Sequence, residues 1–391
     1  MIRKAWPLVV AAIALGIDAY VLAGVLPQIA DSLTTTVAMI GLGVTAFTAA
    51  YAVAGPLLSV RLTRGSTAGA LLIALGVFNL GNLITTLAPG IEVFLASRVV
   101  AGAGAGILTA VATATAAAMV TDAARGRAMA LVTFGLSTGT VAGVPVGMLI
   151  GQSLGWRWTM GLVVLIGVLS MIALALRART LPRLDEAASE PAVRVLRVGK
   201  TSVGVIAAFL LGVASLGLYT YLLPMAESAD LSGWGFALVW AWGIGGVTGS
   251  ALIGRPLDRY GPKPLLIALP VVLGVSFVLV WLVAAPAAWL IAAVLWGAAG
   301  WASVPTLQQA LTADRPAQAM PIIAFQMAAM YLGSAVGAAL GSSLLTTGTS
   351  AVDLAAWALI PAALALALTG WIALRTRRAP IDTDDLCHTA P

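Results

Sequence analysis

The sequence predicts an all-α integral membrane protein: twelve transmembrane helices in two pseudo-symmetric six-helix bundles. Three observations lead there. Of the 391 residues, 60% are hydrophobic and only 9% charged, whereas soluble globular proteins carry about 25% charged residues; so few charges cannot cover a water-facing surface. The chain also divides into about twelve apolar runs of the ~20 residues that one helical crossing requires. Finally, stretches of the first half return in the second at a near-constant spacing, the mark of a duplicated unit.

Taken in order, the expected spans are 6–26, 41–61, 66–87, 93–119, 128–150, 156–176, 201–225, 232–253, 264–285, 288–312, 319–346 and 352–374. The first follows Arg3 and Lys4 and carries Asp18; its apolar run is long for a signal peptide, so it reads as an uncleaved first helix. The second ends in Gly55-Pro56-Leu57. The third holds Asn79 and Asn82, which read as interhelical hydrogen-bonding groups. The fourth holds Arg98 ahead of a run of small residues. The fifth places glycine at every fourth position from Gly135 to Gly151, with Pro145 among them. In a bilayer, small residues four apart let helix backbones approach closely, and Pro145 can kink the helix. That stripe suits either plain packing or a sliding contact between halves that rock. The sixth opens on Gly-Trp-Arg-Trp, with Arg157 in a structural role.

Residues 177–200 form the longest polar stretch between spans. The expected units are therefore an N-terminal bundle over 1–177, a linker over 178–200, a C-terminal bundle over 201–374 and a polar tail over 375–391. Gly135, Gly139 and Gly143 recur 198 residues later as Gly333, Gly337 and Gly341, and Gly55-Pro56-Leu57 has a counterpart in Gly254-Arg255-Pro256-Leu257. Such repeats are typical of transporters, with the substrate site near the midplane where the halves meet.

The net charge of +6 is a topology signal rather than a sign of nucleic-acid binding. With an even number of spans, all but two of the 21 lysines and arginines fall on the side of the two termini or in the linker. The exceptions are Arg157 on the other side and Arg98 within a span. The positive-inside rule then puts both termini in the cytoplasm. Cys387 and His388 are the lone cysteine and histidine and sit in the tail, so no metal cluster, disulfide framework or cofactor site is expected.

Asp18 and Arg98 are the two ionisable residues well inside spans. Buried charges in a membrane are costly and mark functional sites. At 1.5 Å per residue, Asp18 lies about 12 Å and Arg98 about 8–9 Å below the far membrane surface, similar depths. The pair is expected to face a central cavity and to couple a proton to transport. At the 198-residue offset Arg98 maps to Trp296. The second half offers aromatics and methionine instead of charge; Tyr219, Trp296 and Gln326 are the expected substrate contacts, with the ring faces available for stacking.

Four stretches carry a family resemblance. "GRPLDRYGPK" (Gly254 to Lys263) matches the loop motif Gly-x-x-x-Asp-Arg-x-Gly-x-Lys in full. "RVVAGAGAG" (Arg98 to Gly106), "GTVAGVPVG" (Gly139 to Gly147) and "LGIDAYVLAGVLPQIA" (Leu15 to Ala30) resemble the fourth, fifth and first helices of the same group. Over essentially its whole length the chain resembles a major facilitator superfamily transporter, above all the twelve-helix drug:proton antiporter branch near bacterial sugar- and chloramphenicol-efflux members. The resemblance implies conformational roles for Gly139, Gly143, Pro145 and Gly147, and for Gly254, Asp258, Arg259, Gly261 and Lys263. The first-half copy of the loop motif departs from the pattern, with Ser59 where the acid belongs, Val60 for the arginine and Leu62 for the glycine. A cytoplasmic latch would therefore rely on the second-half copy. In the fifth helix, Gly143-Val144-Pro145 replaces Gly-Pro and Met148 replaces a glycine.

The function expected is secondary active export of small, largely apolar, drug-like molecules by proton-coupled alternating access in a bacterial cell membrane, by a monomer whose partners are substrate, protons and lipid. A sugar or metabolite exporter is the alternative. An enzyme is disfavoured, since no His, Cys, acid pair or nucleophile–base pair lies in the spans. A channel would not need a glycine-hinged twofold repeat, and no phosphate-cradling loop suggests ATP drive.

Overall fold

The computed structural model describes residues 2–22, 25–35, 37–184 and 192–375. The middle of the linker and the tail with Cys387 and His388 lie outside the described residues, as does the side chain of Pro145. The first bundle comprises α1 (Ile2–Val21), α2 (Val37–Thr63), α3 (Thr67–Leu87), α4 (Ile91–Ala118), α5 and α6 (Trp156–Arg177). Helix α5 is composite: Arg125–Thr138, a π-helical turn Gly139–Gly143, then Val144–Leu154. The second bundle comprises α7 (Gly199–Leu211, continued by a π-helical turn Gly212–Gly217), α8 (Gly235–Leu252, carried on by Gly254–Tyr260), α9 (Pro262–Leu282), α10 (Pro286–Thr312), α11 (Ala319–Thr346) and α12 (Leu354–Arg375). Among the described residues, ten helices are long and apolar enough to cross a membrane. Helix α1 and the composite α5 complete the twelve crossings.

Local chemistry sets the ends. The Ser66 hydroxyl accepts from Gly69 N at 3.2 Å and caps α3, replacing a bond the first turn lacks. Pro262 and Pro286 open α9 and α10, where no backbone donor is needed. Gly261, at φ +72°, makes the left-handed turn between α8 and α9 that a residue with a Cβ resists.

The two bundles repeat one packing scheme. Helix α1 packs on α5 and α6, α2 and α3 on α4, and α3 on α6; likewise α7 packs on α11 and α12, α8 and α9 on α10, and α9 on α12. Helices α1 and α7 are each followed by a short helix, Leu26–Ser32 and Leu222–Ser228, so the expected unbroken spans 6–26 and 201–225 end earlier. The structural spacing of the repeat also differs from 198. Backbone contact at Phe47–Gly102, between α2 and α4, recurs at Trp242–Gly297, between α8 and α10; both members shift by 195 residues (47 to 242, 102 to 297). By that register the counterpart of Arg98 is Ala293, not Trp296. Loop lengths differ between the halves, so no single offset holds along the chain.

The glycine stripe of α5 faces α1 of its own bundle. A Cβ at Gly135, Gly139, Gly143, Gly147 or Gly151 would meet Val9, Ile13, Ile17, Val21 or Val25 respectively, a four-residue step on both helices. Spacing alone announces close approach but does not name the neighbour. The stripe therefore fixes α1, the helix that carries Asp18, rather than forming a sliding seam between halves.

Among the described residues, helix order places the lysines and arginines other than Arg98 and Arg157 at one end of the bundles, the basic face. Contacts between bundles run from mid-molecule to that face. The rings of Tyr51 and Tyr331 meet edge to face at 4.7 Å. The hydroxyls of Ser137 and Ser250 are 2.7 Å apart, and Thr63 Oγ1 lies 3.7 Å from Met320 Sδ. Ala130, Ile253 and Ala302 form a small buried apolar cluster across the same seam.

Candidate functional site

The small residues of α4 bring its charged residue inside. Gly102 and Gly106 lie against the α2 backbone at Phe47 and Tyr51, and Gly104 lies against α3 at Phe78. A side chain at any of them would hold the helices apart. Arg98, one turn before Gly102, is consequently drawn into the bundle and is 1% exposed. The zipper between α5 and α1 brings Asp18 to the same place, fully buried.

There Arg98 Nη1 donates to Asp18 Oδ1 at 2.9 Å and to Asn82 Oδ1 at 3.0 Å. Asn82 Nδ2 donates to Asp18 Oδ2 at 3.3 Å and to the Phe78 carbonyl at 3.2 Å. The three side chains close a ring between α1, α3 and α4. The guanidinium carbon lies 4.5 Å from the centre of the Phe47 ring, a favourable place for a cation. Arg98 Nε is buried without a partner. The charges offset one another, and each ion is hydrogen-bonded, as burial in an apolar medium demands. The structure thus brings together the two ionisable residues singled out from the sequence. Asn82 is the third member: as an interhelical hydrogen-bonding group it was legible, but its charged partners were not.

A second feature lies wholly in the second bundle. A narrow cleft, about 480 Å³ when the open solvent at its mouth is counted, is bounded by Leu211 and Ser215 of α7, Trp242 of α8, Trp301 of α10, and Gln326 and Met330 of α11, among others. Gln326 accepts a hydrogen bond from Gln308 Nε2 at 3.2 Å. Tyr219 stacks on Trp242 with centroids 3.9 Å apart, and Trp301 meets the same indole at 61° and 6.4 Å. Of the three substrate contacts expected, Gln326 lines the cavity and Tyr219 backs its aromatic wall. Trp296 is fully buried behind it: its indole N–H donates to Ser215 Oγ at 2.9 Å and its ring meets Phe277 edge to face. Trp242 and Trp301, rather than Trp296, bound the cavity.

The third feature is at the basic face. Asp258, near the end of the α8 extension, accepts from Arg127 N at 3.2 Å and pairs with Arg127 Nε. A Cβ at Gly126 would meet Asp258, Gln309 and Leu257, and one at Gly254 would meet Arg127; the two glycines let the loops of the two bundles touch. Gly254 and Asp258 of the sequence motif thus join the seam. Arg259 instead lies over the ring of Tyr260, Gly261 supplies the turn, and Lys263 stands in the first turn of α9. The partner of Asp258 was not legible, because 131 residues separate it from Arg127. At the opposite face Arg157 donates to Ser32 Oγ and to the Ala88 carbonyl, tying three loops together.

Comparison with known proteins bears on the family and the fold. The family model described as Major Facilitator Superfamily matches residues 8–338. The chain is 31% identical over 385 residues to a protein of Streptomyces lividans named Chloramphenicol resistance protein, covering 96% of this chain and 97% of that one. It is 29% identical over 347 residues to the uncharacterized MFS-type transporter YbcL of Bacillus subtilis (strain 168), covering 86% and 87%. Among solved structures, a Major Facilitator Superfamily transporter, FucP, in the outward conformation superposes with a TM-score of 0.76 at 15% identity, covering 96% of this chain and 99% of that one; at that identity the likeness is one of fold.

Proposed function

The chain belongs to the major facilitator superfamily, and on that footing we propose that it exports small, largely apolar, drug-like molecules by proton-coupled alternating access. The single observation that carries the reading is the buried ring of Asp18, Arg98 and Asn82. A carboxylate held this way has two well-defined states. Ionised, it pairs with Arg98 and ties α1 to α4. Protonated, it no longer answers the guanidinium, and α1 is free to adopt another relation to α3 and α4. Alternation between a site that binds the proton and one that releases it is what coupling requires.

The basic face is taken as cytoplasmic, from the positive-inside rule. With the seam between bundles lying from mid-molecule to that face, the arrangement reads as closed to the cytoplasm. Asp258 with Arg127, and the contact of Ser137 with Ser250, form the latch on this side. The residues Gly139, Gly143 and Gly147 act within the first bundle by setting where α1 sits. An apolar, aromatic cavity supports a largely apolar substrate, whereas a sugar would need more polar groups around it. The Chloramphenicol resistance protein of Streptomyces lividans makes chloramphenicol the natural first compound to test.

In everted membrane vesicles from a pump-deficient bacterial host, an imposed proton gradient, acid inside, is expected to drive accumulation of chloramphenicol or another neutral aromatic compound. A protonophore is expected to abolish it. Entry that stops at equilibrium and is the same with and without the protonophore would overturn the proton-coupled reading and leave a facilitator.

A further inference from the structure

The cavity of the second bundle is lined by more than apolar bulk. Its lining includes Gln326, which is 2% exposed, and Gln308 stands directly behind it, also 2% exposed. A single hydrogen bond joins the two amides, and Gln308 Oε1 is buried without a partner. Two primary amides hold two donor groups and two acceptor groups. One bond between them leaves a donor group and an acceptor group unspent, whichever way the amides are turned. Buried polar groups in that condition are exceptional and call for a partner. The indole N–H groups of Trp242 and Trp301 are likewise buried without partners.

Among the described residues, no ionisable side chain bounds this cavity. A charged ligand there would be stripped of water with no counter-ion, which is prohibitive in so apolar a setting. Asp18, the carboxylate inside a span, is already engaged by Arg98 and Asn82. Trp242 is firmly set, stacked on Tyr219 and met by Trp301 at 61°, so the two indoles form an aromatic corner rather than one plane. Planar rings gain most against such a surface, and Met330 adapts to the outline of what binds.

Resting on the reading of the protein as an exporter, we propose that this cavity is a substrate site for uncharged planar molecules carrying a carbonyl-type acceptor, which takes an N–H from the Gln308–Gln326 amide pair while the ring lies on the Trp242–Trp301 wall. The substrate site then belongs to the second bundle and the ionisable site to the first. Recognition and proton binding use no side chain in common.

Fluorenone and fluorene test this directly, because they share one flat frame and differ in a single carbonyl. Binding is measured by equilibrium dialysis to the full-length protein in lipid nanodiscs, with empty nanodiscs subtracted. Fluorenone is expected to bind about tenfold more tightly than fluorene, as one buried hydrogen bond allows. The double substitution Gln308→Leu with Gln326→Leu, which leaves no orphaned amide behind, is expected to erase that difference while fluorene binds as before; retained fluorene binding also reports an intact wall. Trp242→Ala is expected to weaken both. Fluorene-9-carboxylate and a fluorenylmethylammonium cation are expected not to displace fluorenone. Equal binding of fluorenone and fluorene, tenfold preference surviving the double substitution, displacement by either ion, or no saturable binding overturns the proposal. If any of these is found while some compound is still exported on a proton gradient, the site is misplaced and the exporter reading stands. If fluorenone binds as expected but no gradient drives transport, the reverse holds.

Discussion

Arg98→Ala is expected to cost about 3–5 kcal/mol of stability, the usual penalty for leaving one member of a buried ion pair uncompensated. Asp18 and Arg98 are both within 2% of complete side-chain burial, so water cannot take over for the missing guanidinium. Asn82 Nδ2, at 3.3 Å, is the remaining polar contact of Asp18, and a neutral amide cannot offset a full charge in so apolar a place. The instability should therefore appear as a lowered melting temperature of the detergent-solubilised protein and poor recovery of monodisperse material. The decisive comparison is the double substitution Asp18→Asn with Arg98→Gln. It removes both charges and keeps groups able to hydrogen-bond across the same ring, so it is expected to recover most of the stability lost in the single variant. Gradient-driven transport should stay absent in both. Equal melting temperatures for wild type and Arg98→Ala would show that the pair is not a compensated buried pair at all.

Asp258→Asn is expected to open the basic face. The carboxylate is 9% exposed and receives both the backbone N–H and the Nε of Arg127, whose own side chain is 49% exposed. Half-exposed pairs are screened, so the charge contribution is discounted to about 1–2 kcal/mol, between the worth of a surface ion pair and that of a charge-assisted hydrogen bond. In an equilibrium between two arrangements of the bundles that amounts to a shift of about five- to thirtyfold. It can be read by labelling. With the single native cysteine replaced (Cys387→Ser), Ala130→Cys places a thiol in the apolar cluster with Ile253 and Ala302. Maleimide modification there should speed up several-fold in the Asp258→Asn background. An unchanged rate would show that Asp258 does not hold the seam.

Much of this architecture was legible because a bilayer restricts what a chain can do. Apolar length and the distribution of arginines give the crossings, and 319–346 and 156–176 agree with α11 and α6 to within a residue. Asp18 and Arg98 stood out because charge in a span is rare, and their depths, reckoned at 1.5 Å per residue, put them at one level. What escaped was the identity of neighbours. Glycines four apart announce a close approach without naming the helix that approaches, and here the neighbour is α1. Asn82 is one of two asparagines in α3, and only the packing of α3 against α4 distinguishes it from Asn79. Trp296, expected as a ring available for stacking, is fully buried and bonded to Ser215, and the match of Arg98 to Trp296 at 198 residues gives way to Ala293, because the α2–α4 contact recurs at 195. The π-helical turns in α5 and α7 leave no periodicity in so uniformly apolar a sequence. Arg127 and Asp258 are too far apart in the chain for their pairing to be read from it.

The ion ring also limits what a substitution can mean. Loss of function on changing Asp18 carries weight only if the protein still binds and exchanges its substrate. The most direct measurement is therefore made in proteoliposomes, with wild type beside Asp18→Asn and two assays on each. One is accumulation of chloramphenicol driven by an imposed proton gradient. The other is exchange of labelled for unlabelled compound with no gradient. The account expects wild type to do both, and Asp18→Asn to exchange while failing to accumulate. Accumulation that survives Asp18→Asn at the wild-type level would contradict it, and would move proton coupling away from the ring of Asp18, Arg98 and Asn82.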